Sequence, residues 1–148
     1  MKTAQEYFEE YAISHQNKTN IAIHYICVPL IFFSVIGLLM SIPTIFLENL
    51  FGLHNPLLEN WAIVIGALIS IFYLRLGFWY FAQMLFVILL CIVLNFWLSN
   101  VTNLLYASLS IFIIAWIGQF YGHKVEGAKP SFLKDLQFLL IGIMILTF

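Results

Sequence analysis

Four histidines interrupt a chain that is 63% hydrophobic, and three of them, His15, His24 and His123, belong to two segments rich in amide and charged side chains. His15 and His24 bracket Asn17, Lys18 and Asn20 in "YAISHQNKTNIAIHYICVP", residues 11 to 29. Asn17, Asn20 and His24 follow an i, i+3, i+7 spacing that puts them on one face of a helix. Gln119, His123 and Glu126 follow i, i+4, i+7, one face of a second helix provided that it continues through Gly122. Imidazoles with a carboxylate nearby suit Fe, Zn or Cu, and neutral nitrogen ligands with open positions suit oxygen chemistry on Fe(II). Spacing alone does not choose among these metals.

His15 and His24 are nine residues apart, about 900° on a continuous helix and therefore half a turn out of register. They converge only if the backbone bends between them. "HQNKTN", poor in helix formers, supplies a place for that bend, and its Asn, Gln and Thr side chains can satisfy backbone groups freed from the helix ladder. Plainer readings exist for each residue. A histidine near a membrane surface is more often a hydrogen-bonded interfacial group than a ligand. Asn and Gln near helix ends serve as caps or interhelical contacts, and Lys124 and Lys129 serve as topology signals. His54, in "GLHNP", has ordinary turn surroundings.

Composition dictates what must position these groups. Only 9% of the 148 residues are charged, against about 25% in soluble domains, and the mean hydropathy is +0.99. Six Lys/Arg nearly cancel seven Asp/Glu, which gives no electrostatic footprint for nucleic acid. The 18% aromatic content, with four Trp, suits rings placed at membrane interfaces. Cys27 and Cys91 lie inside apolar runs and read as packing residues rather than a disulfide framework. The length implies one membrane domain over residues 1–148, with no evident signal peptide.

The expected fold is all-α: an integral membrane bundle of four spans, an N-terminal amphipathic helix and a short C-terminal apolar helix. Thr3-Ala4-Gln5-Glu6 carries a capping-box pattern, followed by Ala4, Tyr7, Phe8, Tyr11 and His15 along one face. Residues 21 to 47 contain no charged side chain and exceed the roughly 20 needed to cross a bilayer. Pro29 and Pro43 bend this helix or mark its ends. Residues 47 to 60 read as a loop. A shorter run, Trp61 to Leu74, ends at Arg75, and residues 76 to 123 form two further spans divided by "SNVTN". "GHKVEGAKPS", 122 to 131, reads as a polar loop before a final helix. Leu136 to Phe148 spans only about 20 Å, short of the roughly 30 Å hydrocarbon core. Lys2, Lys18, Arg75, Lys124, Lys129 and Lys134 all fall on one side of four alternating spans, which makes that side, with the N-terminus, cytoplasmic. Three histidines then share one membrane face, and His54 occupies the other.

The two polar segments also carry a resemblance. "SHQNKTNIAIHYICVPLI" is similar to the opening motif of the family that includes the fungal 2-hydroxy fatty acid dioxygenase of phytosphingosine breakdown. "QFYGHKVEGAKPSFLKDLQFLLIG" resembles its second motif, a Gly-His followed by Glu and then Pro. The resemblance covers nearly the whole chain. One departure concerns the last helix, where many relatives have Pro after a glycine and this chain has Gly142-Ile143. The resemblance implies an Fe(II)-dependent membrane oxygenase that takes a long-chain 2-hydroxy fatty acid and O₂ and returns an acid one carbon shorter. It would sit in the endoplasmic reticulum membrane of a eukaryote or the inner membrane of a bacterium. On this reading His15, His24 and His123 are the metal ligands. Asn20, Gln119 and Glu126 orient them or, in one case, add a ligand, and Lys18 or Lys124 attracts the substrate carboxylate. A haem-binding redox protein and a non-enzymatic lipid-binding scaffold are the rival classes.

The charge asymmetry makes a direct prediction. With Cys27 and Cys91 replaced by Ser, a cysteine introduced by Gly127→Cys should react with an impermeant thiol reagent from the cytoplasmic side, and one introduced by His54→Cys from the opposite side. Labelling of both from the same side would reject the topology.

Overall fold

A computed structural model describes residues 16–127 together with Glu6 and Glu9. Among these residues there are five helices and no strand: α1 (Lys18–Met40), α2 (Ile45–Phe51), α3 (Trp61–Leu76), α4 (Phe78–Ser99) and α5 (Leu104–Glu126). The expected N-terminal amphipathic helix lies outside the described residues, except that Glu6 and Glu9 are helical and exposed. The expected C-terminal helix also lies outside them.

Three helices, α1, α4 and α5, are long and apolar enough to cross a membrane. The physical reason is their outward faces. Ile26, Phe86 and Ile114 are each about two-thirds exposed, a costly arrangement in water and an ordinary one in hydrocarbon. The run from Trp61 forms a helix of 16 residues, about 24 Å long. It is therefore shorter than the three long helices, and the description that stands is three long apolar helices and two shorter ones. Two further expectations need correction. Residues 47 to 60 are not all loop, because Ile45–Phe51 is helical and closes on Gly52 in the left-handed region, whose N–H bonds Glu48 O. The polar segment from Gly122 does not open a loop either, because α5 continues to Glu126 before Gly127 turns left-handed.

Contacts cluster into two units, Met1–Phe32 with Ile111–Phe148 and Phe33–Ser110. Within the second unit, α3 packs against α4. Gly66 makes room for Ile88, whose Cγ2 would lie 3.0 Å from a Cβ added there. Gly77, at φ 146°, is the only residue between these helices. The loop before α3 is held by side chains. Glu59 accepts from the N–H groups of Leu53 (2.6 Å) and Asn55 (3.3 Å), and Asn60 caps the helix through Ile63 N–H at 3.0 Å. His54 lies in this loop, exposed and at φ 51°.

The same unit carries a polar knot inside apolar helices. Asn95 is fully buried, and its Nδ2 donates to the carbonyls of Phe33 (3.0 Å) and Cys91 (2.9 Å). Its Oδ1 and the Ser108 hydroxyl both face Gly37, where any Cβ would overlap them. Neither oxygen has a hydrogen-bond partner among the described residues, so the close approach of the glycine backbone provides their nearest company. Interhelical contacts of this kind rely on small residues because lipid supplies no hydrophobic drive for helices to associate.

Replacing Gly37 by Ala should therefore lower stability by about 1 to 3 kcal/mol, the usual cost of overpacking. Thermal unfolding in detergent would record this as a lower midpoint. An unchanged midpoint would mean that the three groups are not in close contact.

Candidate metal and headgroup site

The unit that contains the ends of α1 and α5 gathers most of the polar side chains singled out in the sequence. Its buried face has a polar end and an apolar end. On α1, Asn20 and His24 are buried, followed by Val28, Ile31 and Phe32. On α5, Gln119 and His123 are buried beyond Ala115. The i, i+4 periodicity on both helices is what turns these residues to one side.

Two glycines bring the helices together. Gly118 and Gly122 are spaced as G-x-x-x-G, the small-residue pattern of close helix crossings. A Cβ on Gly118 would lie 2.6 Å from Cys27 Sγ, and one on Gly122 would overlap Asn20 Oδ1. Ile23 touches both positions. The sequence reading had not singled out this motif, although "GQFYG" was legible. The motif also explains the half-buried thiol of Cys27, which fills the gap over Gly118.

Glu126 makes the second connection. Its carboxylate accepts from the backbone N–H groups of Gln16 (2.9 Å) and Asn17 (3.0 and 3.1 Å) and from Asn20 Nδ2 at 2.9 Å. Helix N-termini leave N–H groups unsatisfied and carry partial positive charge, so an anion is favoured there. Glu126 is the last residue of α5, where its own helix dipole disfavours it. The start of α1 offsets that cost. Asn17 completes the arrangement as the cap of α1, its Oδ1 accepting from Thr19 N–H at 2.9 Å and Asn20 N–H at 3.4 Å.

Gln16 and Asn17 are not helical, and α1 begins at Lys18. The helix of His24 therefore does not run back through Gln16 and Asn17. His15 itself lies outside the described residues. It is the chain neighbour of Gln16, whose N–H is tied to Glu126.

His24 and His123 come together edge to face, with ring centroids 5.1 Å apart and planes at 84°. Both are 5% exposed. His24 Nδ1 lies 3.0 Å from the Asn20 carbonyl. A carbonyl only accepts, so Nδ1 carries the proton and the lone pair sits on Nε2. This backbone contact is a common way of fixing the tautomer of a ligating histidine. Two buried imidazoles, one with its lone pair directed in this way, fit a metal that takes nitrogen ligands. Among the described residues no group of three His, Cys, Asp or Glu forms a complete ligand set.

The remaining candidates divide. Asn20 spans the gap between Glu126 and His24, through its amide and its carbonyl respectively. Lys18 and Lys124 are exposed at the same ends of α1 and α5 as the paired rings. Gln119 is 5% exposed, and its Oε1 has no hydrogen-bond partner among the described residues. Burying an unpaired acceptor costs about 1 to 3 kcal/mol. His54 belongs to the other unit.

The described residues are all helix and loop, with three long apolar helices and a buried imidazole pair at the polar end of one helix pair, a class suited to contact with lipid. The sequence model of the 2-hydroxy-palmitic acid dioxygenase Mpo1-like family matches residues 1–148, the whole chain, and the protein belongs to that family. No curated protein and no solved structure matches it.

The geometry predicts that Gly122→Ala will push Asn20 away from Glu126 and loosen the start of α1. Amide exchange at Gln16 and Asn17 should accelerate at least about tenfold, which corresponds to roughly 1.4 kcal/mol. Unchanged exchange would show that the contact does not hold this end together.

Proposed function

We propose that the protein is an Fe(II)-dependent dioxygenase that shortens long-chain 2-hydroxy fatty acids by one carbon. The observation that carries this reading is the buried His24–His123 pair at the polar end of an otherwise apolar helix pair, in a chain belonging to a family named for 2-hydroxy-palmitic acid dioxygenase. His15, His24 and His123 hold the metal. When bound, Fe(II) supplies the redox partner that lets O₂ react with an unactivated acid.

The reaction balances with these components alone. The C1–C2 bond breaks, C1 leaves as CO₂, C2 is oxidised from alcohol to carboxylic acid, and O₂ takes up the electrons released, leaving one water. The protein's residues bind and orient. Asn20 holds the His24 tautomer through its carbonyl and meets Glu126 through its amide. Glu126 fixes the chain immediately after His15. Lys18 and Lys124 attract the carboxylate to this end of the helices by charge. Val28, Ile31 and Ala115 continue the buried face away from the imidazoles as apolar surface, the polarity order of a fatty acid.

The architecture that accompanies this reading is one membrane domain of four spans, with α3 as the shortest, flanked by an N-terminal amphipathic helix and a short C-terminal one. The N-terminus and the imidazoles are on the cytoplasmic side. The membrane is the inner membrane in a bacterium or the endoplasmic reticulum in a eukaryote.

The test is anaerobic loading of purified protein with Fe(II), addition of 2-hydroxypalmitic acid and O₂, and mass analysis of the product. The expected product is the acid one carbon shorter. Alanine at His15, His24 or His123 should abolish most turnover. Each should also weaken metal binding by more than the roughly 10- to 100-fold typical of residues that only hydrogen-bond a ligand. His54→Ala should leave both intact. Retention of full metal affinity in folded His24→Ala and His123→Ala proteins would end the proposal.

A further inference from the structure

The Gln119 amide has no structural task that accounts for its position. It is 5% exposed on α5, one helical turn before His123 and on the same face. Its Oε1 is buried and has no hydrogen-bond partner among the described residues. Buried polar groups in folded proteins are nearly always paired, and each exception calls for an explanation such as a ligand or ordered water. A leucine or methionine would fill similar space without an unpaired acceptor. Asn20 Oδ1 is a second amide oxygen of this unit with no hydrogen-bond partner among the described residues, but it is accounted for: it rests on the Gly122 backbone, and its amide is held by Glu126. Gln119 is tied to nothing comparable.

Resting on the function proposed above, we infer that Gln119 reads the hydroxyl group at C2 of the substrate, its Oε1 accepting the hydroxyl hydrogen. The stereochemical logic is local. A ligand whose carboxyl end lies at His24 and His123 brings its C2 substituent within one helical turn along α5, toward Gln119, before its chain reaches the apolar stretch at Ala115. An unsubstituted fatty acid offers no donor at C2 and leaves the buried oxygen unpaired. Sites built to pair with a hydroxyl reject the analogue that lacks it far more strongly than apolar pockets distinguish a methylene. Gln119 is thus a specificity residue, distinct from the groups that hold the metal.

The experiment measures equilibrium binding, without O₂, of 2-hydroxypalmitic acid, palmitic acid and 2-fluoropalmitic acid to the full chain in lipid nanodiscs. Wild-type protein should prefer the hydroxy acid and bind the fluoro acid, which cannot donate, about as weakly as palmitic acid. Gln119→Leu and Gln119→Met should reduce the preference for the hydroxy acid over palmitic acid at least about tenfold, with palmitic acid binding as well as before and metal content unchanged. An unchanged preference in either variant, or equal binding of the fluoro and hydroxy acids by wild type, overturns the inference while leaving the proposed reaction standing. Loss of metal from both variants also overturns it, because Gln119 would then act on the ligands. Wild-type protein that does not distinguish 2-hydroxypalmitic from palmitic acid overturns both the inference and the reading on which it rests. The wild-type fluoro-acid comparison keeps the inference open to refutation even if neither variant folds.

Discussion

The Glu126 carboxylate at the start of α1 is the interaction on which the candidate site depends. A helix that begins near hydrocarbon exposes N–H groups that water cannot fully serve. Here one anion accepts from the two N–H groups just before α1 and from an asparagine side chain besides. The anion sits at the wrong end of its own helix and at the right end of its neighbour. The consequence is positional. The end of α5 is fixed to the start of α1, and with it the imidazole of His123 is brought against that of His24.

Glycine makes that fixation possible, and both units use the same device. Gly122 lies under Asn20 in one, and Gly37 lies under Asn95 and Ser108 in the other. In each case an amide oxygen reaches the backbone of a facing helix because no side chain intervenes. Apolar faces alone do not set a register in lipid, where one aliphatic surface resembles another. Polar side chains over glycines do, because a shift along the helix would bury the amide against a methyl group.

The same geometry separates two kinds of polar residue. Asn17, Asn20, Glu126 and Asn95 have donors or acceptors that bind the fold together. Gln119 is buried too, but its Oε1 has no hydrogen-bond partner among the described residues. Under the proposed function that acceptor has a chemical context: a 2-hydroxy acid has a carboxylate and a hydroxyl at one end and an apolar chain behind them. The buried face of α1 and α5 has the same order, from imidazoles and amides to Val28, Ile31 and Ala115.

Much of this was legible in the sequence. Charge-free runs long enough to cross a bilayer identify α1, α4 and α5, because about 20 apolar residues in helical form match the hydrocarbon thickness. The breaks at Arg75 and at residues 99 to 103 were also readable, since polar clusters end apolar helices. Helical spacing put Asn20 with His24 and Gln119 with His123. Helix ends were less readable. Gly122 suggested a loop, but α5 continues because the glycine serves a helix crossing, and residues 47 to 51, which pattern alone gave to a loop, belong to the helix Ile45–Phe51. Only the tertiary structure decided which polar groups meet. Sequence spacing fixes neighbours within one helix, whereas the partners of Glu126 lie more than a hundred residues away. Their pairing depends on how closely two backbones approach at Gly118 and Gly122, a distance that no single helix encodes.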